Sequence, residues 1–120
     1  MSDAPSKREW RLYVTDMITF GERALAYTSE LDRSAFVADR LRYDATLRNL
    51  ELIGEAASRV PLEVRERYDD VPWRQVIAVR NRLAHAYLGI DDDVIWSIVT
   101  DDLESLLSTL RNLLIDDGAA

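Results

Sequence analysis

His85 is the only histidine in the chain, and it closes the run Arg80-Asn-Arg-Leu-Ala-His85, with Tyr87 two residues further on. Imidazole is the side chain best suited to giving and taking a proton near neutral pH. A guanidinium presents a planar fork of donors that matches the oxygens of a phosphate or carboxylate two at a time. An imidazole and a guanidinium can supply the two parts of an acid–base reaction on an anionic substrate, proton transfer and stabilisation of added negative charge. On spacing alone Arg82, three residues from His85, is the more natural partner of the imidazole than Arg80. Asn81 stands one helical turn before His85 and can orient the imidazole or a substrate by a hydrogen bond. Arg82 and Arg74 either extend an anion-binding surface or belong to a solvated face. A lone histidine is equally compatible with a structural role, and Tyr87 with a core position that leaves its hydroxyl at the rim.

Helical geometry sharpens the question. Each residue advances about 100° around an ideal helix, so His85 shares a polar, cationic face with Arg74, Ala78, Asn81 and Arg82. Arg80 falls about 140° away, on a stripe with Val76, Leu83 and Tyr87 that is otherwise apolar. Arginine is rarely buried without a partner, which makes Arg80 the anomaly to explain. It can pair with a carboxylate such as Asp44, Glu51 or Glu55. It can carry its head group out to water along an aliphatic stem. Or the stripe can face a cleft.

The elements that would hold these residues read as helices throughout, because apolar residues recur at three- and four-residue steps and no alternating pattern persists. The first helix is expected over about Lys7 to Leu31, with Trp10, Tyr13, Val14, Met17, Ile18, Gly21, Ala24 and Leu25 inward. Asp32 or Ser34 can cap a short turn after it. The second spans about Asp39 to Arg59, with Tyr43, Leu47, Leu50, Gly54 and Ala57 inward. Gly54 weakens that helix by roughly 1 kcal/mol against alanine, a cost that close approach of another backbone would offset. Residues 61–71 read as turn-like with one short helical turn. A third helix starts near Pro72 and carries the His85 segment until Gly89. Asp91, Asp92 and Asp93 suit the positive end of a fourth helix, which continues to about Ile115. Asp116 to Ala120 are expected to fray. The expectation is a single all-α domain over residues 1–120, ordered over about 7–115, built as an antiparallel four- to five-helix bundle. The broad apolar stripes of the first and last helices are either monomer core or a helix-to-helix dimer face.

Composition narrows the possibilities. The net charge is -7 at pH 7, which argues against a general nucleic-acid coat protein, since counterion release from phosphates favours a basic surface. Arginine nevertheless supplies all the cationic side chains except Lys7. With no cysteine, disulfides and thiolate metal sites are excluded. One histidine and scattered carboxylates make no recognisable metal site, and the four glycines form no phosphate-binding loop, so no metal and no cofactor are expected. No run approaches the roughly 20 apolar residues of a membrane span, and Met1 to Lys7 lack the apolar centre of a signal peptide. A cytoplasmic protein without membrane contact is expected.

Arg80-Asn81, His85 and Tyr87 at this spacing resemble the signature of the HEPN superfamily, and specifically of its HepT branch. Trp73 before the motif, Gly89-Ile90-Asp91 after it and Trp96 in the next helix are similar to that branch. So is Arg48-Asn49-Leu-Glu51-Leu-Ile-Gly54-Glu55-Ala56 upstream. The resemblance spans about residues 9 to 115. It implies a HEPN-like bundle that forms a homodimer, with two copies of the motif lining one cleft. It implies a toxin that is a metal-independent ribonuclease, with Arg80, His85 and Asn81 catalytic and Arg82 and Arg74 contacting RNA. It further implies an MNT-type nucleotidyltransferase as partner antitoxin, which attaches adenylate to Tyr87. The competing expectation is a dimeric interaction module that binds a nucleotidyltransferase or a nucleotide without catalysis.

Overall fold

The computed structural model describes residues 7–84 and 91–119, and all of its regular structure is helical. Helix α1 spans Lys7–Thr28, α2 Arg33–Ala38, α3 Arg40–Arg59 and α4 Leu62–Arg67. Helix α5 spans Trp73–Ala84 and α6 Asp92–Ser97. A π-helical turn over Ile98–Asp102 leads without a break into α7, Leu103–Ala119. The all-α expectation holds. Helices α1 and α3 form the main packed pair, α5 lies on α3, and α7 lies on α1.

The inward stripe of α1 is seen: Trp10, Val14, Met17, Gly21 and Ala24 are buried, and Tyr13, Ile18 and Leu25 pack half-buried against the same core. This helix ends three residues before Leu31. Glu30 adopts a left-handed backbone, φ 69°, which closes the turn, and the Thr28 hydroxyl donates back to the Ala24 carbonyl. Asp32, and not Ser34, caps α2 by accepting from the Ala35 amide. Phe36 on α2 is fully buried and stacks on Tyr43 and Trp96, at 5.1 and 5.4 Å between ring centroids.

The inward face of α3 is broader than its expected stripe, because Thr46, Asn49, Ile53 and Ala56 are buried as well. A helix wedged between two others buries more than one stripe. The short helical turn expected within residues 61–71 is α4.

The last helix runs past its expected end near Ile115. Helix α7 continues to Ala119 because Asp117 folds back onto α1. Its carboxylate pairs with the Arg11 guanidinium at 2.5 Å, and Arg11 also donates to the Leu114 carbonyl. Asp117 is 6 % exposed and Arg11 is part-buried, so the pair is screened less than one that lies wholly in solvent.

Candidate active site

Arg80 sits at a close contact between α5 and α3. A Cβ built on Gly54 would lie 2.2 Å from the Arg80 Cβ and 2.9 Å from the Val76 carbonyl oxygen. Only a residue without a side chain lets the helices approach this far. The close approach expected from Gly54 is thus made by α5, at the arginine.

The Arg80 stem rests on that contact and the residue is half-buried. None of the three carboxylates weighed as its partner takes it. Asp44 lies beside Arg40 at 3.9 Å, Glu51 beside Arg48 at 3.4 Å and Glu55 beside Arg59 at 3.7 Å, each within α3. Among the described residues, the Arg80 head makes one hydrogen bond, from Nη1 to the Asn81 side-chain oxygen at 3.2 Å. Its Nε is buried without an acceptor. Only Nε is desolvated in this way: the Nη1 bond to Asn81 lies at exposed surface. The stem is covered while the head reaches solvent, as one of the expected outcomes had it, and no carboxylate among the described residues pairs with it.

The face expected to be polar is exposed. Arg74, Ala78, Asn81 and Arg82 all lie in solvent, whereas Leu83 is buried and Val76 half-buried. Arg80 and Asn81 are brought together. Arg74 stands two turns earlier on the helix. Arg82 lines a small cleft of about 30 Å³ between α5 and α6, which Asp91 also lines. A carboxylate on the same cleft partly offsets the Arg82 charge toward a phosphate. His85 and Tyr87 lie outside the described residues.

The stretch that carries His85 and Tyr87 is bracketed by anchored chain on both sides. On the near side Leu83 is buried. On the far side Asp91 caps α6 by accepting from the Asp93 amide. Asp92 accepts from the Tyr43 hydroxyl, and Asp93 pairs with Arg33. The aspartate run therefore does more than suit a helix start, because two of its members tie α6 to α3 and α2. Burial, and then the hydrogen bond to the Asp92 carboxylate, push the Tyr43 phenol up to about 12. Sequence reasoning missed this tie, since nothing local links Tyr43 or Arg33 to residues 92 and 93. Among the described residues no three His, Asp or Glu side chains group as metal ligands. No helix among them is long and apolar enough to cross a membrane.

The fold and the site together define a class: an all-helical bundle that carries, in the last turns of one helix, an arginine paired with no carboxylate among the described residues. Comparison with known proteins makes the class specific. The family model described as "Ribonuclease HepT-like" matches residues 17–113, and the chain belongs to this family, within the HEPN superfamily. The enzyme class that goes with it is endoribonuclease. A probable ribonuclease HepT of Thermococcus cleftensis is 33% identical over 107 residues, covering 89% of this chain and 97% of that protein. A Methanocaldococcus jannaschii protein that carries an RNase name is 32% identical over 101 residues, covering 84% of this chain and 93% of that one. Another, from Caldanaerobacter subterraneus, is 34% identical over 79 residues, covering 66% and 70%. No solved structure matches the chain.

Proposed function

We propose that this protein is the toxin of a HepT/MNT toxin–antitoxin pair and cleaves RNA without a metal ion, using the substrate's own 2′-hydroxyl as nucleophile. The observation that carries this reading is Arg80, fixed on Gly54 and left with donors that no carboxylate among the described residues occupies.

In this mechanism a base removes the 2′-hydroxyl proton, and the 2′-oxygen attacks the adjacent phosphorus. The bond to the 5′-oxygen breaks as that oxygen takes a proton. His85 serves the proton transfers. Arg80 stabilises the charge that builds on the non-bridging oxygens. Asn81 accepts from Arg80 and so aims the guanidinium, a role added to its expected one beside His85. Arg74 and Arg82 are secondary phosphate contacts. The active form is a homodimer in which the two copies of the Arg80 to Tyr87 segment share one cleft.

The reading is tested by RNA cleavage in EDTA. Arg80→Ala and His85→Ala are each expected to lower the rate by at least about 100-fold, the usual scale for losing an acid–base or charge-stabilising group. Unfolding midpoints measured alongside separate chemistry from folding. Full activity in a folded variant removes that residue from the mechanism.

Neutralisation is by the partner nucleotidyltransferase. The Tyr87 hydroxyl attacks the α-phosphorus of ATP, pyrophosphate leaves, and an adenylate stays on the tyrosine. The added phosphate places negative charge and bulk beside the motif, which repels an RNA phosphate. Intact-mass measurement after incubation with the partner and ATP should show one adenylate, absent in Tyr87→Phe. A mass gain that survives this substitution contradicts the site. The net charge of -7 favours the second reading, a dimeric module that binds the nucleotidyltransferase or a nucleotide without cleaving RNA. The same EDTA assay decides between them.

A further inference from the structure

Helix α5 packs on α3 and α7 packs on α1, but no comparable packing joins α5 to α7. The gap between them is a groove of about 470 Å³. Its floor is Leu50 and Ile53 of α3, both buried. Val76 and Val79 form one wall, and Ile98 and Leu106 the other; all four are half-buried. The lining from Pro72 to Val79 covers ~10 Å of α5, and that from Ile98 to Thr109 covers ~16 Å along the opposite wall, at 1.5 Å per helical residue. A long, apolar slot between two helices has the shape that accepts a third helix through anchors spaced three and four residues apart.

The rim has one sign of charge. Asp70, Asp101 and Asp102 line the groove, all are exposed, and no cationic side chain lines it with them. No ion pair among the described residues engages any of the three. Asp101 is held by the hydroxyls of Ser97, at 3.2 Å, and Thr100, at 3.3 Å. The π-helical turn supplies Ile98 to the wall and both Asp101 and Asp102 to the rim. Such turns are rare and recur at functional sites.

We propose that this groove is a docking site for a basic amphipathic helix of a partner protein, its apolar stripe on the α3 floor and its lysines or arginines against Asp70, Asp101 and Asp102. Charge selects this occupant. Three exposed carboxylates on an apolar slot, with no cationic side chain lining it beside them, complement an apolar stripe flanked by cations. The site is separate from Arg80 and does not rest on RNA cleavage.

The test uses two fluorescent synthetic helices of about 18 residues that share one leucine stripe. One is flanked by lysines and the other by glutamates. Titrated with the full chain and followed by anisotropy, the lysine helix is expected to bind at least about 10-fold more tightly. A 10-fold preference is about 1.4 kcal/mol of binding free energy, within what three exposed charge pairs can supply. The combined substitution Asp70→Asn, Asp101→Asn and Asp102→Asn is expected to abolish the preference. Ser105→Trp, at an exposed rim position, is expected to block binding while the chain stays folded and cleaves RNA at the wild-type rate. Equal affinity for the two helices, or binding indifferent to these substitutions, overturns the proposal. So does exclusion of both helices from a wild-type dimer that Ser105→Trp converts to monomer, since a second copy then covers the groove.

Discussion

Arg80 joins a stem packed against a neighbouring helix to a head that no carboxylate among the described residues engages. A surface arginine in solution samples many rotamers, and ordering it on substrate binding costs conformational entropy. Here part of that ordering is done on folding, by Gly54 beneath and Asn81 beside it. Tyr43 gives a residue-scale prediction. Its phenol is raised to about 12 from an ordinary value near 10, chiefly by burial and then by Asp92. The folded state therefore holds this proton more tightly than the unfolded state does. The resulting stability is complete below pH 10 and is lost as pH rises from 10 through 12. In an absorbance titration of tyrosinate, the last step should belong to Tyr43 and vanish in Tyr43→Phe. If the step lost in Tyr43→Phe is instead one near pH 10, the phenol is not raised as burial and Asp92 together require. At this scale the sequence revealed that Arg80 was anomalous but not why. Three carboxylates lay within plausible reach, and only the structure shows each beside a different arginine on its own helix.

The element that matters most is the α3–α5 pair, and its spacing is set by Gly54. Gly54→Ala places a methyl 2.2 Å from the Arg80 Cβ and 2.9 Å from a backbone carbonyl, neither of which can swing aside. The helices must separate. Overpacking of this kind costs about 1–3 kcal/mol, more than the roughly 1 kcal/mol that alanine adds to helix propensity. Denaturant unfolding should show a net loss, and RNA cleavage should fall with it because Arg80 moves. Gly21 is a control. A methyl there meets mainly the Leu107 side-chain tip, at 2.4 Å, and a side chain can change rotamer. Gly21→Ala should cost less than Gly54→Ala, and the reverse order would contradict the account. Most helices were legible, since each carries a long apolar stripe. The ends were not. Leu31 packs on the core although α1 has already ended, and Asp117 extends α7 only because Arg11, more than a hundred residues away in sequence, is there to meet it. The π-helical turn left no sequence signal either, because its residues continue the same apolar pattern.

Across the whole molecule, an acidic chain must act on a polyanion. The acidity is unevenly placed: Asp70, Asp101 and Asp102 gather at the groove, while Arg74 and Arg82 stand exposed on α5. The proposed dimer makes a cationic cleft from two copies of one short segment. This gives a prediction that no single subunit can satisfy. Arg80→Ala and His85→Ala chains, each inactive alone, should regain cleavage when unfolded together and refolded as mixed dimers, because one cleft then holds one intact arginine and one intact histidine. A mixture that stays inactive while forming mixed dimers would mean that each subunit works alone or that both copies of each residue are needed. The most direct test of the central claim is the chemistry of the ends left on RNA cut by the wild-type protein in EDTA. Attack by the 2′-hydroxyl predicts a 2′,3′-cyclic phosphate on one fragment and a 5′-hydroxyl on the other. A 3′-hydroxyl with a 5′-phosphate, or no cleavage until a divalent metal is added, would contradict it.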